Sequence, residues 1–131
     1  MDSVSTYYLN SESGFLINNT FQSKRRLLNA DHYKKVFDHR LWANSKYFKA
    51  CFKANELGAS RLGLAVSKKI SKLAVTRNML KRHVRESFRC NHEININIDI
   101  IVLPKRESVM AQPEELRQDL KILWKRCQKL R

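Results

Sequence analysis

Residues 76–89, TRNMLKRHVRESFR, restrict the fold of this chain most, because they predict a helix with one apolar edge and one broad cationic face. The cations recur every four residues, at Arg77, Lys81, Arg85 and Arg89. A separate apolar stripe comprises Leu80, Val84 and Phe88, about a third of a turn away. Like charges four residues apart destabilise an isolated helix. A fold that accepts this cost indicates a polyanion that neutralises the face.

The charge of the whole chain supports a polyanionic partner. The 131 residues contain 26 Lys plus Arg against 12 Asp plus Glu, a formal net charge of +14. From Arg61 to Arg89 there are nine cations and a single acid, Glu86. A run of charge is usually only a solvated face, but a one-sided cluster in a basic domain is typical of a nucleic-acid binder.

Length and composition argue against several other classes of protein. The chain is long enough for one domain, and it has no apolar run near the roughly 18 residues of a membrane span. Its N-terminus does not resemble a secretory signal. The three cysteines and four histidines lack the spacing of a zinc site or a disulfide framework. We therefore expect a cytoplasmic protein with reduced cysteines, without a membrane, a metal site of its own or an obligate protein partner.

The N-terminal third predicts an extension followed by a helix. Residues 1–20 are rich in Ser, Asn and Thr, and we expect a flexible extension there, with a single RNA-binding domain over 21–131. Asn29 predicts the N-cap of a helix that runs to about Asp38. On it, Tyr33 and Phe37 are one turn apart, a spacing that by itself favours packing in the core.

Two or three strands are expected next, and two of them can be located. Residues 47–54 alternate, with Phe48, Ala50, Phe52 and Ala54 on the face predicted to be buried. The opposite face carries Tyr47, Lys49, Cys51 and Lys53, a mixture of ring and cations that suits base stacking and phosphate contact. Residues 61–67 predict the second strand, with Leu62, Leu64 and Val66 on one side. The small residues on its other side permit a helix or a ligand to approach closely.

The rest of the sequence, from residue 68 onwards, predicts a helix, a strand and a second helix. A cationic loop with Lys68 and Lys69 precedes the basic helix, for which Thr76 is the expected N-cap. Residues 94–103 predict a central strand that ends at Pro104, and 108–112 predict a loop. Pro113 predicts the start of the last helix. Its apolar stripe comprises Leu116, Leu120, Leu123, Cys127 and Leu130, with Trp124 at the flank. This order predicts an α+β sandwich of helices on a small sheet.

The sequence shows no paired-carboxylate motif, nucleophile elbow or phosphate loop, so no catalytic residues are predicted. Glu86, which lies among arginines, is expected to balance charge rather than to act as a base. If the chain belongs to an enzyme, we expect another molecule to supply the reactive groups.

Several blocks resemble the bacterial ribonuclease P protein subunit. They are RLGLAVSKK at 61–69, TRN at 76–78 and KRxxRExFR at 81–89, with RLLNA at 26–30, DIIVLPK at 99–105 and LWKR at 123–126. The blocks follow the family's order over roughly residues 21 to 127. One departure is Met79, which stands where the family signature usually has a second arginine. The contact of that arginine is then absent or made by a neighbour such as Arg82.

The resemblance implies an α-β-β-β-α-β-α sandwich with a left-handed βαβ crossover, the architecture of the second domain of ribosomal protein S5. It implies a protein component of ribonuclease P, an endoribonuclease that removes the 5′ leader of precursor transfer RNA by magnesium-dependent hydrolysis. The catalytic RNA subunit would hold most of the Mg²⁺ and carry out the chemistry, so the protein alone would be inactive. The two implied partners are that RNA and the precursor transfer RNA.

The resemblance also implies two binding surfaces. The residues implied to bind the RNA subunit are Arg77, Asn78, Lys81, Arg82, Arg85 and Arg89. The residues implied to bind the leader are Tyr33, Phe37, Lys49, Cys51, Ser67, Lys68, Lys69 and Lys105. Most of these contacts should be made to phosphates and to stacked bases.

Two alternative functions stay open at this point. Charge alone would allow a stand-alone RNA-binding or ribosomal protein, and a self-sufficient nuclease is the other class. The ordered blocks argue against the first, and the missing carboxylate cluster argues against the second.

Overall fold

The described residues of the computed structural model (26, 29–57, 59–91 and 97–130) form three α-helices, four strands and a short 3₁₀ helix. In chain order these are α1 (Ala30–His39), β1 (Leu41–Asn44), β2 (Phe48–Ala54), β3 (Arg61–Leu64), α2 (Ala74–Cys90), β4 (Ile98–Pro104), the 3₁₀ helix (Arg106–Met110) and α3 (Pro113–Leu130). The order is the α-β-β-β-α-β-α order that the resemblance implied. The predicted extension over 1–20 lies outside the described residues.

The strands form one mixed sheet in the order β1-β2-β4-β3. β4 lies in the centre, antiparallel to β2 and parallel to β3, as its continuous apolar pattern predicted. Because β3 and β4 are parallel neighbours joined through α2, the segment is a βαβ crossover. The left hand of this crossover stays a prediction.

The larger core lies between the sheet and the pair α2 and α3. As predicted, it contains the apolar face of β2, the alternating side of β3 and the stripe of α2. Trp124, which was expected only to flank the α3 stripe, is fully buried: its ring meets Phe88 edge-on at 5.8 Å, and its indole N–H donates to the Ser87 hydroxyl at 2.8 Å. Two expectations are wrong, because Leu130 is 51% exposed and Ala54 is exposed, both at the ends of their elements.

A smaller cluster lies on the opposite face of the sheet, under α1. Val36 of the helix packs on Cys51 and Ile101, and all three are fully buried. The Cys51 thiol donates to the Val36 carbonyl at 3.3 Å. The element that approaches this side of the sheet is therefore the first helix.

Local signals located some boundaries and missed others. The Asn29 side chain caps α1, accepting from the His32 amide at 3.0 Å, as predicted. Thr76 is not the N-cap of α2, because the helix already begins at Ala74. The N-cap residue is Leu73, which is extended and makes no side-chain capping hydrogen bond. The loop predicted over 108–112 begins within the 3₁₀ helix. Tyr47 precedes β2 and is buried in the larger core, rather than lying on the opposite face of the strand.

Part of the predicted strand over 94–103 lies outside the described residues, and β4 begins at Ile98. None of the described helices is both long enough and apolar enough to cross a membrane.

Candidate nucleic-acid interface

Tyr33 fastens α1 to the edge strand β3. Its hydroxyl accepts from the Leu64 amide at 3.0 Å and is 3.4 Å from the Leu64 carbonyl oxygen, to which it donates. The ring is half-buried against the smaller cluster. Tyr33 is therefore partly a packing residue that keeps some exposed surface.

Phe37 is part of a surface of aromatic rings and a lysine on the same face of the sheet as α1. Its ring centroid lies 6.1 Å from that of Trp42 in β1, at an interplanar angle of 32°. The ammonium of Lys49, in the neighbouring strand β2, lies 5.4 Å from the centroid of the Trp42 ring. Trp42 is 38% exposed, Phe37 is half-buried and Lys49 is exposed. Exposed ring area beside a cation can stack a base and contact its phosphate.

Trp42 was not among the residues that the sequence assigned to a site, because the four-residue strand β1 was not recognised. The available signal was the short apolar run over residues 41–43, LWA, between the end of the helix and the polar Asn44 and Ser45. Arg40, with φ of 59°, makes the left-handed turn that directs the chain from α1 into this strand.

The remaining residues expected to bind the leader divide into accessible and inaccessible ones. Ser67, Lys68 and Lys69 are exposed just beyond the C-terminal end of β3. Lys105 follows the parallel strand β4, so it lies at the same end of the sheet, but its half-buried ammonium donates to the Ser45 carbonyl at 2.7 Å. Cys51 lies beneath α1 with no exposed surface, and the expectation that it faces a ligand is wrong.

The cationic face of α2 lies on the other side of the sheet. Asn78 and Arg82 are exposed, whereas Arg85 and Arg89 are half-buried. Arg89 forms an ion pair with Glu86, which matches the charge-balancing role expected for that acid.

Arg77 holds the beginning of α2 in place. Its guanidinium donates to the Ser71 carbonyl at 2.9 Å, and its backbone amide donates to the Leu73 carbonyl at 3.1 Å. The half-buried Arg77 side chain therefore fixes the loop before the helix as well as adding charge to the face.

Lys81 differs from its expected position, since it is only 8% exposed. Burial lowers the pKa of its ammonium, and the neighbouring charges of Arg85 and Arg77 lower it further. No ion pair to Lys81 is formed within the described part of the chain. The cationic face thus includes an ammonium group that is largely removed from water and that pairs with no carboxylate among the described residues.

A metal centre is not built by this part of the chain. The described residues contain no group of three or more His, Cys, Asp or Glu side chains that could hold a metal ion. These residues do not fit a protein-bound Mg²⁺.

Comparison with known proteins identifies the family. The family model described as Ribonuclease P matches residues 21–128 of the chain. The chain belongs to the ribonuclease P protein family. The ribonuclease P protein component of Vibrio cholerae is 42% identical over 106 residues, covering 81% of this chain and 90% of that protein. The component of Pseudomonas putida is 36% identical over 117 residues, covering 88% and 87%.

Solved structures agree with the fold. The ribonuclease P protein of Thermotoga maritima has a TM-score of 0.68 at 30% identity and covers 76% of this chain and 96% of that one. The Staphylococcus aureus protein has a TM-score of 0.73 at 23% identity, covering 82% and 98%. The family resemblance and the α+β fold expected from the sequence are therefore confirmed. So, at a coarse level, is the role in transfer RNA processing as a ribonuclease P component.

Met79, the departure from the family signature, has a structural explanation. Its side chain is half-buried and packs against the larger core. The next cation along the helix that is exposed is Arg82. A methionine at this position therefore adds apolar contact to the core and leaves the exposed charge to its neighbours.

Proposed function

We propose that this chain binds the catalytic RNA of ribonuclease P and the 5′ leader of precursor transfer RNA at once, and that it thereby assists magnesium-dependent removal of the leader. The observation that carries the proposal is the placement of two chemically different surfaces on opposite faces of one sheet. Aromatic rings and a lysine lie beside α1, and a face of cations lies on α2. A protein with two such faces can bridge two RNAs. We place this activity in the cytoplasm.

The RNA subunit is proposed to bind the α2 face. Exposed Asn78 and Arg82 would meet the RNA first, while the half-buried arginines and Lys81 supply a positive field behind them. Arg82 would also make the contact that the signature arginine makes where Met79 now stands. Because phosphates offer no sequence information, this surface should give affinity and orientation rather than base specificity.

The leader is proposed to lie along the α1 face. Phe37, Trp42 and the accessible part of Tyr33 offer surfaces on which bases can stack, and Lys49 is placed for a phosphate. The exposed residues 67–69 extend this path along the end of the sheet, with Lys105 behind them. Stacking on rings is tolerant of sequence, so a protein of this kind can accept many different leaders.

The chemistry is proposed to belong to the RNA subunit, which would hold most of the Mg²⁺. In this arrangement the protein supplies no nucleophile or general base. Its cations would instead raise the affinity for substrate and lower the Mg²⁺ concentration that the complex needs.

A reconstitution experiment tests this function. Precursor transfer RNA is incubated at low magnesium with the protein alone, with a bacterial ribonuclease P RNA alone, and with both. We expect cleavage at the mature 5′ end only when both are present. Cleavage by the protein alone that survives ribonuclease A treatment of the preparation would instead favour a self-sufficient nuclease. An unchanged rate on adding protein to the RNA would favour a stand-alone RNA-binding protein.

A further inference from the structure

A second cationic feature lies between α2 and α3, beside the face described above. It is a cleft of about 620 Å³ on the side of the sheet opposite α1. The lining residues are His83, Glu86, Ser87, Cys90 and Asn91 from α2 and the residue after it, and Arg117, Lys121 and Lys125 from α3. Three of them are cations on α3, and the carbon stems of these long side chains form part of the cleft surface between the charged groups.

The α3 wall repeats the pattern of α2. Arg117, Lys121 and Lys125 recur every four residues, and with a rise of 1.5 Å per residue they stand about 6 Å apart along the helix. This interval is comparable to that between successive phosphates of an RNA strand. Arg117 pairs with Glu114, whereas the exposed Lys121 and Lys125 form no ion pair within the described residues. Again the helix accepts like charges at the spacing where they repel.

The α2 wall leaves this positive charge largely uncompensated. Its one acid, Glu86, is already paired with Arg89. His83 is half-buried, and its pKa is lowered by burial and then by the charges of Arg117 and Arg82. The imidazole thus lies close to a cation of each helix, Arg82 on α2 and Arg117 on α3.

We propose that the α2–α3 cleft binds a further segment of the sugar–phosphate backbone of the ribonuclease P RNA, with Lys121 and Lys125 each contacting a phosphate. The proposal rests on the function proposed above, and it extends the RNA-subunit surface from α2 alone to both helices. The RNA subunit is favoured over the leader because the cleft shares α2 with the first surface and lies across the sheet from α1.

Cys90 gives a direct measurement of this occupancy. It is exposed and lines the cleft, while Cys51 and Cys127 are buried. Burial raises the pKa of the Cys127 thiol to about 12, so the buried thiol is unreactive at neutral pH. A small uncharged alkylating reagent should therefore modify the folded protein at Cys90. We expect the ribonuclease P RNA to suppress this alkylation, and an unrelated RNA of the same length to suppress it less at equal concentration.

Charge variants complete the test. Lys121→Ala combined with Lys125→Ala should lower the slope of log K against log salt for the ribonuclease P RNA by about 1.4 to 1.8, which is 0.7 to 0.9 per phosphate. Lys46→Ala removes an exposed charge outside the cleft, near the Tyr47 ring, and should leave the slope unchanged. Thermal melts establish that the cleft variant is folded, as expected from relief of like-charge repulsion on an exposed helix face.

The outcomes separate the two proposals. If the unmodified protein does not bind the ribonuclease P RNA, the proposed function is wrong. If it binds but Cys90 is alkylated at the same rate, the cleft proposal alone is overturned. An unchanged salt slope in the folded double variant overturns it too, even with Cys90 protected, because the RNA would then pass over the cleft without contacting the two lysines.

Discussion

Replacing Lys81 by methionine should stabilise the free protein and weaken its binding to RNA. Methionine retains the unbranched apolar stem that packs in the 8% exposed site and removes the ammonium. Each like-charge neighbour at a distance of four residues costs about 0.2–0.5 kcal/mol, and Lys81 has two, Arg77 and Arg85. Relief of both repulsions stabilises the folded protein by about 0.4–1 kcal/mol. Removal of a buried ammonium, which has lost contact with water, adds to this gain.

The pH dependence has a defined sign. The folded-state pKa of Lys81 lies below its ordinary value of 10.5. At any pH where Lys81 is charged in both states, the folded protein is therefore destabilised, because its site disfavours the charged form. This penalty is fully present at neutral pH, and it disappears as the pH rises through the folded pKa towards 10.5. The stability advantage of Lys81→Met should therefore be largest near neutral pH and should shrink in alkaline solution.

Urea denaturation and thermal melts without RNA measure the stability, and RNA titrations across a salt series measure the binding. An increase of about 3–6 °C in Tm is expected for a gain near 1 kcal/mol in a domain of this size. The salt slope should fall by less than the roughly 0.7–0.9 of one direct phosphate contact, because the Lys81 ammonium lies behind the exposed residues. Arg82→Met is the matched control, because Arg82 is adjacent and exposed: it should weaken binding without raising Tm. Equal Tm changes in the two variants, or a loss of stability in Lys81→Met, would refute this reasoning.

Three further changes have defined outcomes. Asp119→Ala removes the buried acceptor of hydrogen bonds from the Ser45 hydroxyl and the amides of residues 46 and 47, and urea denaturation should show a loss of about 2–4 kcal/mol; a loss below 1 kcal/mol would contradict this. Arg40→Gly relieves the left-handed φ of 59° and should raise the free energy of unfolding by roughly 0.5 kcal/mol, and a decrease would count against it. Arg82→Ala should lower the salt slope for RNA-subunit binding by about 0.7–0.9, with unchanged circular dichroism; a parental slope would remove Arg82 from the interface.

Long periodic segments allowed most of the fold to be predicted. The stripes of α2 and α3 and the alternation of β2 located the core, because each of these elements buries one face along most of its length. β1 was missed, since four residues are too few for a period to be recognised. The N-terminus of α2 was misplaced because Leu73 does not provide the polar side chain on which N-cap prediction relies.

Residue roles were harder to predict than elements. Periodicity placed Lys81 on the cationic face and so predicted an exposed side chain. In the folded protein the Lys81 side chain is buried, because tertiary packing covers this part of α2. Cys51 was expected on an accessible strand face, and α1 covers it through a contact between distant parts of the chain. The importance of Trp42 depends on its meeting Phe37 and Lys49 in space, which no spacing in the sequence indicates.

The most direct test of the two-surface account compares transfer RNA with and without a 5′ leader, bound to the complex of protein and ribonuclease P RNA. Phe37→Leu combined with Trp42→Leu retains apolar volume and removes both rings. It should cost roughly 1–3 kcal/mol per lost stacking contact for leader-bearing substrate and leave mature transfer RNA unaffected. The account is contradicted if the folded variant binds both substrates as the parent does, or if it weakens both equally.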